Sequence, residues 1–132
     1  MPVVADLLRI DTSVLIDQER GVPEATNCVA SLLRSGGAAM HPVSRAECLA
    51  GARDRRHIAA IKFGHSGLRM LAVRNEDFAR ALDVLEACVL STRVEWPDCL
   101  IAATCLRLGI PIVTVNDRDC RAIKGLRVVR PY

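Results

Sequence analysis

Short apolar runs of strand length alternate with longer segments of helical period, and that alternation limits the fold more than any other feature. A strand over roughly residues 6–11 precedes a helix from 12 to about 19, and Pro23 opens a second helix over 24–34. Gly36-Gly37 ends that helix, a short strand follows near 38–41, and helices are expected over 43–53 and 55–65. Residues 68–73 fit a third strand, and 76–90 a helix with Phe78, Ala81, Leu82, Leu85 and Val89 in period. Pro97 starts another helix, with Leu100, Ile101, Thr104, Cys105 and Leu108 on its apolar face and Gly109 and Pro111 stopping it. Strands over 110–115 and 127–130 complete the pattern. Such alternation implies an α/β fold: a mostly parallel central sheet of four to five strands flanked by helices on both faces. The 132 residues suit one domain, 1–132, with no repeat or linker to divide it. One Trp, one Tyr and two Phe leave the core to Leu, Val, Ile and Ala, which suits helices on a parallel sheet better than a β-sandwich.

The net charge of +3 permits a polyanionic partner without arguing for one. Arg53, Arg55 and Arg56 form the densest basic cluster, readable as a solvated helix end or as a phosphate-contacting edge. Six cysteines are scattered without CxxC spacing, and neither they nor the three histidines show the spacing of zinc ligands. With no secretory segment and no apolar run of membrane-spanning length, a reducing cytosol is the simplest expectation, the cysteines serving as small buried hydrophobes.

Of the fifteen acidic residues, Asp17, Glu19, Glu24, Glu76, Asp77, Asp83 and Glu86 read as ordinary surface charge. Asp11 ends the first strand and starts a helix, so it serves equally well as an N-cap and as a site residue. Glu47 has Val43, Ser44, Ala50 and Gly51 as helical neighbours, a small and apolar face on which a charge is either half-buried for a purpose or at the rim of the core. Asp98 lies in the first turn of the Pro97 helix, where the helix dipole alone would favour it. Asp117 and Asp119 follow the fourth strand in what reads as a polar loop. If the first and fourth strands are neighbours, that loop faces Asp11 across one crevice. Carboxylates converging there would repel unless a cation joined them, and oxygen ligands without His or Cys suit Mg²⁺ or Mn²⁺. The chemistry implied is phosphodiester hydrolysis by metal-activated water, with Thr12, Ser13, Thr114 and Asn116 supporting the carboxylates.

Four segments, Ile10-Asp11-Thr12-Ser13-Val14-Leu15-Ile16-Asp17, Ser44-Arg45-Ala46-Glu47-Cys48-Leu49-Ala50-Gly51, Pro97-Asp98-Cys99-Leu100-Ile101-Ala102-Ala103 and Ile112-Val113-Thr114-Val115-Asn116-Asp117-Arg118-Asp119, resemble in order the motifs of PIN-domain proteins. The size and the run Gly125-Leu126-Arg127-Val128-Val129-Arg130-Pro131 are most similar to VapC toxins. The resemblance implies a Mg²⁺- or Mn²⁺-dependent endoribonuclease acting on RNA, a homodimer, held inactive by a VapB-type antitoxin. By position it makes Asp11, Glu47 and Asp98 acidic ligands and leaves the fourth open between Asp117 and Asp119, because Cys120 stands where relatives carry Phe. Thr12, Ser13 and Thr114 match supporting polar positions.

The alternative is a catalytically inactive PIN-like interaction module, against which stands the full set of acidic positions. A dehalogenase-type phosphatase would need an acid where Ser13 stands, and for a phospho-receiver domain Lys124 is poorly placed. Val14, Leu15, Ile16, Leu32 and Leu33 offer a candidate groove for an antitoxin helix, though each also reads as core. Arg45, Arg53, Arg55 and Arg93 are candidate RNA contacts without an assigned place.

Overall fold

The computed structural model describes residues 8–132, so the start of the first expected strand, at 6 and 7, lies outside the described residues. The elements run β1 (Leu8–Ile10), α1 (Thr12–Glu19), α2 (Pro23–Ser35), β2 (Ala38–Met40), α3 (Pro42–Ala50) and α4 (Arg55–Gly64). They continue with β3 (Arg69–Met70), α5 (Asn75–Cys88), α6 (Trp96–Leu108), β4 (Ile112–Val113), α7 (Asp117–Cys120) and β5 (Val128–Val129). Among the described residues the fold is α/β, with seven helices and short parallel strands ordered β3-β2-β1-β4-β5.

Local chemistry sets the helix ends. Asp11 caps α1, Pro23 lies in the first turn of α2, and Gly36 and Gly109 take left-handed φ of 75° and 68° where α2 and α6 stop, a conformation any side chain would strain. The strands are shorter than the apolar runs that announce them. Leu68 and Leu71 are buried, yet β3 pairs only at Arg69 and Met70, both exposed on a sheet edge with one neighbour. Likewise Ile110 and Thr114 are buried, but β4 is assigned only at Ile112 and Val113. The polar loop expected after β4 is instead the single helical turn α7.

Three apolar clusters form the core. One joins α1, α2 and the sheet through Ile10, Val14, Val29 and Met40; another joins α5 and α6 through Ala81, Cys88, Cys99 and Ala103. The third, with Ile101, Cys105 and Ile112, lies against the sheet. Of the residues offered as a candidate groove on the early helices, Val14 and Leu15 take the core reading, Ile16 and Leu32 are partly buried, and Leu33 is exposed. The six cysteines are free thiols, four of them buried.

Asp77 overturns its surface reading. Its carboxylate is 1% exposed and accepts from Arg107 Nε at 2.7 Å and Nη2 at 3.1 Å, from Thr104 Oγ1 at 3.1 Å and from the Arg74 backbone N–H at 3.0 Å. Burial pushes this carboxyl up, but the Arg107 guanidinium, the Arg74 N–H and the Thr104 hydroxyl outweigh it and hold the group below the usual carboxylate range. The network reaches the sheet through His41, which is fully buried. Its Nδ1 accepts from Val43 N at 3.1 Å, so a neutral ring carries its proton on Nε2, 3.0 Å from Thr104 Oγ1. A string of polar contacts thus ties α3, α5 and α6 together, and α3 and α6 carry Glu47 and Asp98.

Candidate functional site

From β1 the chain steps to β2 and β3 on one side, then crosses back to β4 and β5 on the other. The order therefore reverses between β1 and β4, where loops diverge at the carboxyl ends and leave a crevice. Asp11 marks that point: its backbone N–H donates to Val113 O at 2.9 Å, tying the end of β1 to β4.

Three donors converge on Asp11 Oδ2: Thr114 Oγ1 at 2.9 Å, Ser13 Oγ at 3.0 Å and, more distantly, Ser13 N at 3.5 Å. The two hydroxyls lie 3.2 Å apart, and each also receives a backbone N–H, Ser13 from Val115 and Thr114 from Asn116. Asp11 is thus both a helix cap and a carboxylate fixed by its neighbours. Asp98 is oriented from within its own helix, Oδ2 accepting the Glu95 N–H at 3.1 Å.

Asp11, Asp98, Asn116, Asp117 and Asp119 line one crevice of about 470 Å³. Glu47 does not line it. Its side chain is exposed rather than half-buried, and it lines a neighbouring groove of about 480 Å³ with Glu19, Arg53 and His57. The link between the two is Thr12, whose hydroxyl donates to Glu47 Oε1 at 3.1 Å from the residue after Asp11. Of the two alternatives its small neighbours allowed, the exposure agrees with the rim position.

The two candidates for the fourth acid differ sharply. Asp117 accepts from Arg130 Nη1 on Oδ1 and from Arg121 Nε on Oδ2, both at 3.0 Å. The Arg121 guanidinium, against burial and with help from Arg130, holds its carboxyl below the usual carboxylate range. Among the described hydrogen bonds the Asp119 carboxylate accepts only a long one, 3.4 Å from the Arg93 N–H. Arg93, Arg118 and Arg130 also line the crevice, a basic wall that the sequence reading left unassigned. Arg130 could have been suspected from its position just past the last strand, at the same sheet edge as Asp11. Arg53 belongs to the neighbouring groove.

Among the described residues no three His, Cys, Asp or Glu side chains are gathered closely enough to grip an ion as they stand. The donor chemistry nevertheless fits a hard dication. Mg²⁺ keeps several waters and needs only one or two direct carboxylates, and Asp11 is already held in place by hydroxyls. Among the described residues no helix is long and apolar enough to cross a membrane.

Residues 9–126 match the PIN domain family. Solved structures with a similar fold include a toxin–antitoxin complex from Klebsiella pneumoniae, at 22% identity and TM-score 0.76 over 95% of this chain and 98% of that one. The DNA-bound VapBC from Salmonella typhimurium is similar at 19% identity and TM-score 0.77, covering 92% and 96%. VapBC2 from Rickettsia felis, bound to a DNA fragment from its promoter, is similar at 12% identity and TM-score 0.76 with the same coverage. At such identities these likenesses concern the fold. No curated protein matches the chain.

Proposed function

The chain belongs to the PIN domain family, and from that premise we propose that it is a metal-dependent endoribonuclease, the toxin of a VapBC-type toxin–antitoxin pair. The observation that carries the reading is the meeting of Asp11, Asp98, Asn116 and Asp119 in one crevice at the switch point of a parallel sheet. The proposed acidic set is Asp11, Glu47 and Asp98, completed from Asp117 and Asp119; Thr12, Ser13, Thr114 and Asn116 are its supports. Mg²⁺, or Mn²⁺ in its place, would be held chiefly by Asp11 and Asp98. When bound it supplies Lewis acidity at the phosphoryl oxygens and a lowered pKa for the attacking water.

The chain's own residues bind and orient. Ser13 and Thr114 fix Asp11, so little reorganisation accompanies cation binding. Thr12 tethers Glu47, which lines the neighbouring groove, and the Glu47 charge would add to the negative potential that favours a cation. A carboxylate lining the crevice would take the proton of the attacking water. The proposed partners are an RNA substrate, a VapB-type antitoxin and a second copy of the chain. The antitoxin is supported by the toxin–antitoxin complexes among the fold's relatives.

The test is cleavage of RNA by antitoxin-free protein with and without Mg²⁺. Wild type should cut, chelation should stop it, and Asp11→Asn should lower the rate by at least about a hundredfold, as loss of a charge-stabilising group does. Undiminished cleavage by Asp11→Asn would refute the assignment. No cleavage of any RNA with metal present and antitoxin removed would favour the interaction-module reading.

A further inference from the structure

The crevice is lined by acidic residues, yet the substrate proposed for it is a polyanion. Something on the wall must therefore attract phosphate, and three arginines line it: Arg93, Arg118 and Arg130. Arg130 differs from the other two in being anchored. Its Nε donates to Tyr132 O at 3.0 Å and its Nη1 to Asp117 Oδ1 at 3.0 Å, while its side chain stays 53% exposed. Those bonds use two of the five N–H groups of a guanidinium, leaving the rest of the fork outside them. The other oxygen of Asp117 is taken by Arg121 Nε. Arg121, Asp117 and Arg130 together carry one net positive charge, whereas the other crevice acids, Asp11, Asp98 and Asp119, contribute negative charge.

We propose that Arg130 grips a phosphate of single-stranded RNA next to the reacting one, and that Asp117 is the residue that positions it rather than a ligand of the cation. A guanidinium held by two bonds loses less freedom on binding than a loose one, and its planar fork matches phosphate oxygens. Asp117 with both oxygens engaged by guanidinium groups is poorly disposed to turn to a cation. The fourth acidic position then falls to Asp119. The inference rests on the nuclease reading of the crevice.

The two roles given to Asp117 predict opposite signs. Replacing it with Asn adds one unit of positive charge to the wall, so charge alone would tighten RNA binding. Loss of positioning would weaken it. The measurement is fluorescence anisotropy of a short labelled single-stranded RNA of mixed sequence, titrated in chelator at several salt concentrations. Mn²⁺ affinity is measured separately by calorimetry, and melting temperatures check that each variant folds. Arg130→Gln should weaken RNA binding about tenfold and reduce the salt slope by about 0.7, the share of one phosphate on a single strand. Arg130→Lys, which keeps the charge without the fork, should restore the slope but only part of the affinity. Arg34→Ala, at the end of α2 and away from the crevice, controls for net charge. Asp117→Asn should weaken RNA binding about threefold, raise KM more than it lowers kcat, and leave Mn²⁺ affinity within about twofold, where a lost ligand costs tenfold or more.

Tighter RNA binding by Asp117→Asn, or a tenfold loss of Mn²⁺ affinity, would overturn the positioning role. An Arg130→Gln protein that binds RNA like wild type, or like Arg34→Ala, would overturn the grip. Each of those results leaves the nuclease reading standing if wild type still cuts RNA. A wild type that neither binds nor cuts RNA would remove both.

Discussion

Replacing Asp77 with Asn keeps the shape of the side chain and removes its charge from one of the most enclosed polar positions in the protein. Arg107 would lose its partner at 2.7 Å while its own side chain is only 15% exposed. Breaking a buried ion pair from one side costs about 3–5 kcal/mol, because the remaining charge stays desolvated. Several features place this case near the lower end. Arg107 keeps a 2.7 Å bond to Ala72 O and lies 3.9 Å from Glu76, and the Thr104 hydroxyl can turn wholly to Leu100 O at 3.1 Å. We therefore expect a loss of about 3 kcal/mol at pH 7. With a urea m-value of about 2 kcal/mol/M, the unfolding midpoint should fall by about 1.5 M.

The pH dependence gives a second check. Asp77 has a folded pKa below its unfolded value, so its contribution is complete above about pH 4 and disappears as pH falls through the folded pKa. The midpoint difference between wild type and Asp77→Asn should be constant from neutral pH down to about pH 5 and close in stronger acid. Urea titrations followed by circular dichroism would measure both. A midpoint within about 0.3 M of wild type at pH 7, or a difference that does not close in acid, would refute the argument that this carboxylate is a stabilising buried charge.

Thr12→Val removes the donor to Glu47 Oε1 while keeping the side-chain volume. RNA cleavage should fall about tenfold, the usual cost of losing a supporting contact, with less than about 1 kcal/mol lost in urea titrations because Glu47 is exposed. Burial first, then Glu19, Glu47 and Asp11, pushes the Cys48 thiol up to about 11, and burial with Asp98 and Cys88 does the same for Cys99. At pH 8 about one such thiol in a thousand is ionised, so mass-spectrometric mapping of iodoacetamide labelling should show both reacting at least about tenfold slower in the folded protein than in urea. Burial, and then Arg45 against the opposing pull of Glu19, lowers the His65 pKa. The unfolded chain thus binds a proton that the folded one refuses, and stability should drop as pH falls below about 6.5. His65→Gln should flatten that slope by up to about 1.4 kcal/mol per pH unit; an unchanged slope between pH 7 and 5 would refute the assignment.

The sequence by itself determined what depends on neighbours along the chain. Pro23, Gly36, Gly109 and the Asp11 cap act within one turn, so helix ends were readable from single residues. The alternation of runs implied α/β layering, and the ordered acidic motifs pointed to the PIN family before any contact was known. Only tertiary structure decided the matters that turn on residues far apart. At a helix start, Asp77 reads like any acid that suits the dipole; its burial is set by Thr104 and Arg107 on a helix that packs against α5. Glu47 proved exposed because helical spacing gives a residue's face but not what that face meets. Asp117 has a local partner in Arg121, four residues on, but its second partner, Arg130, arrives because β5 pairs beside β4. Period and capping are short-range and can be read along the chain. Charge pairing across a sheet edge follows from strand order, which no local pattern encodes.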